Sequence, residues 1–363
     1  MSTQFHCHSQ GGIRTMKKLS ALLLAASLGL AGQAAATPES QAAVLFLLIE
    51  PGARASGMGE SYVAIADDAT ASYFNPAALY GQSKHQVGLT HMKWLPGLAD
   101  DMSYNFLAYS QPVEGWGNIG FNLSLLNLGE QTRTDERGNV QGSFSSYDMA
   151  VSAAYGAQIA NNMSAGIGLK FIRSNLATIG AGIERGKGVG NSFAADLGLL
   201  WHLTPALNFG AALRNLGPKI AYIDASQADP LPQHLVVGLA YKLLDSEYND
   251  VLVSLDLYKP LIANNSFMGN MVKAWADEGL GNEFKEMDLH LGGEYKYGLS
   301  AQQDQAFIAL RGGYSLDHDG DLSLMTAGLG LKYNLFQVDA AYIFGDNDNP
   351  QKDNTRFSLN MIF

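Results

Sequence analysis

Residues 355–363 read TRFSLNMIF, with Phe357, Leu359, Met361 and Phe363 on every second position and Arg356, Ser358 and Asn360 between them. A period of two puts successive side chains on opposite faces of a strand, so this stretch has one apolar and one polar face. The pattern recurs from Gln86 onward. Ala165, Ile167, Leu169 and Phe171 alternate with Ser164, Gly166, Gly168 and Lys170. Phe193, Ala195, Leu197, Leu199 and Trp201 alternate with Ala194, Asp196, Gly198 and His202; Val251, Val253, Leu255 and Leu257 alternate with Ser254, Asp256 and Tyr258. A soluble sandwich alternates in the same way, so alternation leaves open which face meets water.

The aromatic at position 363 decides between the two. A last strand ending in Phe363 resembles the signal by which bacterial outer-membrane barrels are recognised for assembly. Closure pairs every backbone group between strands, the condition for strands to survive in lipid. Fourteen strands are expected, near residues 86–94, 102–111, 117–127, 145–157, 163–174, 192–202, 206–215, 233–243, 251–259, 286–297, 305–316, 322–333, 336–344 and 355–363. The number is even, as in single-chain bacterial barrels, where outer connections are long and inner ones short. Long connections are expected at 133–144, 174–191, 216–232, 261–285 and 345–354, and short ones at 160–162, 203–205 and 334, with 95–101 and 317–321 as short exceptions on the outer side.

The amino-terminal region reads as an export signal. Met16-Lys17-Lys18, an apolar run from Leu19 to Leu30 and Ala34-Ala35-Ala36 form a basic, a greasy and a small-residue cleavage region, with residues 1–15 as an overlong gene start. Cys7 is the single cysteine and lies in the discarded part, which excludes disulfide and thiolate chemistry from the mature chain. Loss of residues 1–36 takes three of 23 basic residues (Arg14, Lys17 and Lys18) and none of 34 acidic ones, leaving a net charge of about −14. That balance argues against nucleic acid as a partner. The longest later apolar run, Ala42 to Ile49, is far below the roughly 20 residues of a spanning helix.

Between signal and strands lies FLLIEPGARASGMGESYVAIADDATASYFNPAALY, residues 46–80. Gly52, Gly57 and Gly59, with Ala53, Ala55 and Ala64, supply the tight turns and small side chains that folding inside a lumen requires. Pro76 restrains Asn75 to an extended or turn conformation, and Asp67 and Asp68 can cap a short turn or pair with Lys170, Arg214, Arg311 or Arg356. Residues 56–79 resemble the amino-terminal hatch of the FadL family of fatty-acid transporters, through the Gly57/Gly59 turn, the Ala-Asp-Asp run and the Asn75-Pro76-Ala77 motif. Further features resemble the PorV/PorQ group of that superfamily: Phe46-Leu47-Leu48-Ile49 with Gly52-Ala53-Arg54-Ala55, Leu231-Pro232, Asp256 to Leu261, and Asn354 to Leu359.

The resemblance implies an all-β fold, a 14-stranded antiparallel transmembrane barrel of FadL type over residues 85–363 with a hatch over 37–84 inside its lumen. It implies residence in the outer membrane, in contact with its lipid, and a role in type IX protein secretion. The implied partners are the translocon barrel, cargo with a C-terminal sorting domain, and a surface attachment complex with a sortase-like protein. Passive transport of hydrophobic small molecules is the alternative. The amphipathic stretch Phe267, Met271, Val272 and Trp275 is the candidate partner-docking loop.

No cofactor, metal or catalytic residue is expected. Asp288, His290 and Glu294 share a face of strand ten but have no nucleophile elbow beside them. Asp317-His318-Asp319-Gly320-Asp321 lacks the spacing of a calcium loop, and Gly182 to Gly188 lacks the Ser or Thr of a phosphate loop.

Overall fold

A computed structural model describes residues 42–96, 99–135, 137–177, 187–261, 287–300, 305–317, 322–345 and 351–363. The signal region, the docking stretch Phe267 to Trp275, Gly182 to Gly186 and 318–321 lie outside the described residues.

The strands are β1 Gln86–Lys93, β2 Ser103–Val113, β3 Gly117–Thr134, β4 Val140–Ala160, β5 Met163–Ala177, β6 Gly188–His202 and β7 Leu207–Leu216. They continue with β8 His234–Asp245, β9 Asn249–Pro260, β10 Asp288–Gly298, β11 Ala306–Asp317, β12 Leu322–Tyr333, β13 Phe336–Gly345 and β14 Asn354–Ile362. Each pairs with its sequence neighbours, and β1 pairs antiparallel with β14 from Gln86↔Ile362 to Met92↔Arg356. The sheet is therefore a closed fourteen-strand antiparallel barrel with no free edge along its wall.

Sidedness follows the pattern read from the last strand. Phe357 and Leu359 are exposed on the outside, as are Leu89, Leu107, Leu169, Phe193 and Leu329. Arg356, Ser358 and Asn360 are buried inside, with Thr90, Ser124, Lys170, Asp196, Arg311 and Asp339. A greasy outside and a polar inside is the inverse of a soluble domain and suits a wall facing lipid. Trp201, Tyr241, Tyr297, Tyr333 and Phe336 are exposed near the end of the barrel where β1 starts, forming part of an aromatic belt. That end is called the terminal end below, and the opposite one the loop end.

One of the expected long connections differs, and another, long as expected, has a fold of its own. Residues 133–144 are mostly paired strand, because β3 and β4 continue beyond the wall as a two-stranded ribbon with register shifts after Asn127 and Arg133. Both faces of the ribbon are polar and wet, so nothing there imposes a period of two on the sequence. The connection between β7 and β8 folds into the loop-end mouth. Ile220 and Leu231 are fully buried, Ser192 donates to the Pro218 carbonyl (3.0 Å) and Tyr222 to the Ser174 hydroxyl (3.1 Å).

Candidate functional site

The segment before β1 runs lengthwise through the barrel. At the loop end the Ala43 amide donates to the Pro230 carbonyl (3.0 Å); at the terminal end His85 and Phe363 exchange two amide–carbonyl bonds of 3.0 Å. Between them lie short helical turns at Leu45–Leu48, Ala53–Gly57, Ala71–Phe74 and Pro76–Gly81, nearly all of them buried. No turn is long enough to be stable alone, so their order comes from the surrounding wall.

The inner segment's backbone approaches the wall closely at several places. Gly59 sits at φ +63°, and a Cβ there would lie 2.6 Å from the Leu291 carbonyl oxygen and from the Tyr314 amide nitrogen. Its own amide donates to Thr326 Oγ1 (3.0 Å). Gly57 meets Gly328, whose Cα is 2.9 Å from the position of a Cβ on Gly57. Near the terminal end Asn75 is wholly buried and donates to the carbonyls of Val63 (2.9 Å) and Leu199 (3.0 Å), while its Oδ1 accepts from the Ala77 amide (3.1 Å). Pro76 starts the following turn at a position that needs no amide proton. Asn75-Pro76-Ala77 thus links two parts of the inner segment to β6. Asn75→Ala is expected to cost about 1–3 kcal/mol, since three buried backbone groups lose a partner. The shift in urea midpoint of the folded, heat-modifiable form measures it.

Charged groups arrange themselves differently from the expected Asp67/Asp68 pairing. Asp67 pairs with Arg54 of its own segment, and Asp68 accepts from the Thr70 amide (2.9 Å) and the Tyr62 hydroxyl (2.8 Å). None of the four expected wall cations reaches either aspartate. Lys170 pairs with Asp196 (3.3 Å), Arg214 with Glu50 (3.1 Å), Arg311 with Asp339 (2.8 Å) and Arg356 with Glu60 (2.8 Å). Asp67 and Asp68 are held by residues close in sequence, and the wall cations take acids nearer their own height in the barrel.

Three polar groups tie the inner segment to the wall. Arg54 donates from Nε and Nη2 to both carboxylate oxygens of Glu294 (2.9 Å each), and Glu294 also accepts from Arg311 Nε (2.7 Å). Asp256 Oδ2 accepts the amides of Tyr62 (2.7 Å) and Val63 (2.8 Å). Arg356 Nη1 donates to the Glu50 carbonyl (3.0 Å) and to Glu60. Sequence reasoning missed Glu50, Arg54 and Glu60 as the segment's own anchors. Their signal was charge placed inside an Ala/Gly-rich stretch expected to be buried, where an ion needs a partner.

The strand-ten trio separates into three roles. Glu294 is in the Arg54 network, His290 Nδ1 donates to the Gly59 carbonyl (2.8 Å), and Asp288 lines a cavity of about 220 Å³ toward the loop end. Glu50, on the wall of that cavity, has its carboxyl pushed up to about 8 by burial and then by Glu60, which together outweigh Arg214. A second cavity of about 570 Å³, lined by Val44, Phe46, Ile49, Trp94 and Leu126, lies at the loop end. No cluster of metal-ligating side chains occurs among the described residues.

Comparison with solved structures places the fold. Two structures of the toluene transporter TodX of Pseudomonas putida align with TM-scores of 0.51 and 0.50 at 14% identity, covering 85% and 86% of this chain and 97% and 96% of theirs. A Pseudomonas aeruginosa FadL homologue aligns at 14% identity over 86% of this chain and 98% of its own, with a TM-score of 0.48. Comparison with curated proteins returned no match. The class is therefore a FadL-like fourteen-strand antiparallel barrel. Within it the family is shown by sequence: the model for type IX secretion system protein PorV matches residues 34–266, and the chain belongs to that family.

Proposed function

We propose that this chain is a non-enzymatic outer-membrane component of type IX secretion, which receives cargo bearing a C-terminal sorting domain from the translocon barrel. It delivers that cargo to the surface attachment complex and its sortase-like protein. The family match over 34–266 carries the reading. It is supported by the inner segment, whose ion pairs and close backbone contacts fix it to the wall within the lumen. Residues 37–84 then act as a hatch that seals the barrel of residues 85–363.

Affinity purification from outer membranes is expected to bring down a large translocon barrel and sorting-domain cargo, and deletion is expected to abolish cargo secretion. Recovery of the protein alone, with secretion intact after deletion, would sink the reading. The apolar loop-end cavity favours a second reading, passive transport of a hydrophobic small molecule. In that case extracted protein carries bound lipid and deletion reduces uptake while secretion continues.

A further inference from the structure

The apolar outside of the wall is broken by a polar pair on strands β1 and β2. His91 is exposed there, and its Nδ1 lies 2.8 Å from Asn105 Oδ1, which can only accept. Nδ1 therefore carries the proton, and Nε2 of the neutral ring is an acceptor with no partner among the described residues. The Nδ2 donors of Asn105 reach only the Ser103 hydroxyl, at 3.5 Å.

The break lies within the apolar belt and not above it. Strand register links Leu244 at the terminal end of β8, by way of Phe357, His91, Asn105, Leu125 and Met149, to Asn191 near the loop end of β6. This row climbs toward the loop end, as tilted strands require. Leu125 and Met149 stand higher on the climb than His91 and Asn105, yet they still face outward, alternating with buried Ser124 and Ala150. The apolar outside is also short at this place: β1 offers Val87 and Leu89, whereas β12 offers Met325, Ala327, Leu329, Leu331 and Tyr333. Association is one way a short apolar wall is accommodated in a bilayer, and lipid chains offer a polar pair no hydrogen bond.

We propose that this face binds a second copy of the chain, side by side in the membrane about a two-fold axis along the membrane normal. Such an axis keeps both loop ends on one side and sets equivalent residues at equal height. With the two faces opposed, β1 of each copy lies against β2 of the other. His91 and Asn105 are register partners, so each His91 Nε2 meets the Asn105 Nδ2 donors of the other copy, and the contact forms twice. Leu89 and Leu107, exposed register partners nearer the terminal end, cross in the same way, and Lys93 meets the Ser103 hydroxyl and not a second lysine. This crossed matching of donor to acceptor at one height favours a copy of the chain over an unrelated barrel. The site rests on the outer-membrane part of the reading above and is independent of any cargo.

The test is thiol cross-linking in isolated outer membranes with a short bis-maleimide, using two differently tagged full chains, one carrying Leu89→Cys and the other Leu107→Cys. The expected result is a mixed-tag dimer, reduced about tenfold or more when both chains also carry His91→Leu and Asn105→Leu. Those substitutions place apolar side chains on a lipid-facing surface, so the barrel stays folded, and heat modifiability verifies it. Val253→Cys on β9, across the barrel, should give no dimer. A chain that does not fractionate with outer membranes overturns the reading on which the site rests, whereas its presence there without a mixed-tag dimer overturns this inference alone. A dimer indifferent to the leucines, or cross-linking of Leu89→Cys to a different barrel only, overturns it as well.

Discussion

Glu294→Ala is expected to destabilise the folded protein by about 3–5 kcal/mol, the cost of stranding buried charge. Glu294 is 2% exposed and accepts from Arg54 Nε and Nη2 at 2.9 Å and from Arg311 Nε at 2.7 Å, with Lys296 at 3.0 Å. Without it Arg54 keeps only Asp67, whose side chain is 56% exposed and so contributes little, and Arg311 keeps only Asp339. Neither guanidinium can leave for water, because one is enclosed in the inner segment and the other faces inward on β11. Glu294→Gln keeps the shape and one acceptor and should recover part of the loss. Pairing Glu294→Gln with Arg54→Met should be less damaging than the two single losses added together, because the second substitution removes the stranded cation. Urea midpoints of the heat-modifiable form read all four, Arg54→Met alone included, and a loss under about 1 kcal/mol for Glu294→Ala would show that the network carries little.

The second large effect is expected at the wall glycines opposite Asn75. A Cβ at Gly198 would lie 2.2 Å from Asn75 Oδ1 and 2.9 Å from the Ala77 amide; at Gly166 it would lie 2.3 Å from the Pro76 carbonyl carbon. These neighbours are largely backbone or fully packed, so no rotamer relieves the collision. Gly166→Leu with Gly198→Leu should leave barrel closure intact, since β5 and β6 pair through their backbones, while displacing the turn at Pro76–Gly81. With that turn displaced, the proposed seal fails. The purified variant should conduct ions in planar bilayers, and cells carrying it should become sensitive to large antibiotics that an intact outer membrane excludes. A folded variant that stays non-conducting, with residues 42–82 still protected from protease, would disprove the sealing role.

The strands were legible because each has one face in lipid and one in a polar lumen, so the period of two is written in residue chemistry. Leu169 and Phe193 against Lys170 and Asp196 illustrate this, each pair falling on the side its polarity dictates. The ribbon made by the outer parts of β3 and β4 was not legible, because water on both faces removes the constraint that creates the pattern. Ile220 and Leu231 were a faint mark that the β7–β8 connection folds inward, but Ile223 of the same loop is exposed, so apolar character did not tell which residues turn in.

The candidate site divides along the same line. That Asn75-Pro76-Ala77 forms a turn, and that the stretch with Gly57 and Gly59 turns tightly, follow from local covalent geometry and could be read from the residues themselves. Which charge meets which could not. Arg54 and Glu294 are 240 residues apart, and their pairing depends on the height at which the inner segment crosses β10. That height is set by barrel closure and by where Gly59 and Asn75 lodge against the wall, which no local pattern encodes. The sequence by itself determined the number of strands, their inward and outward faces and the family, because these depend on residue type and spacing. Only the tertiary structure decided the partners of each buried ion and the polar cavity beside Glu50, because both depend on side chains brought together by closing a sheet around a separate segment.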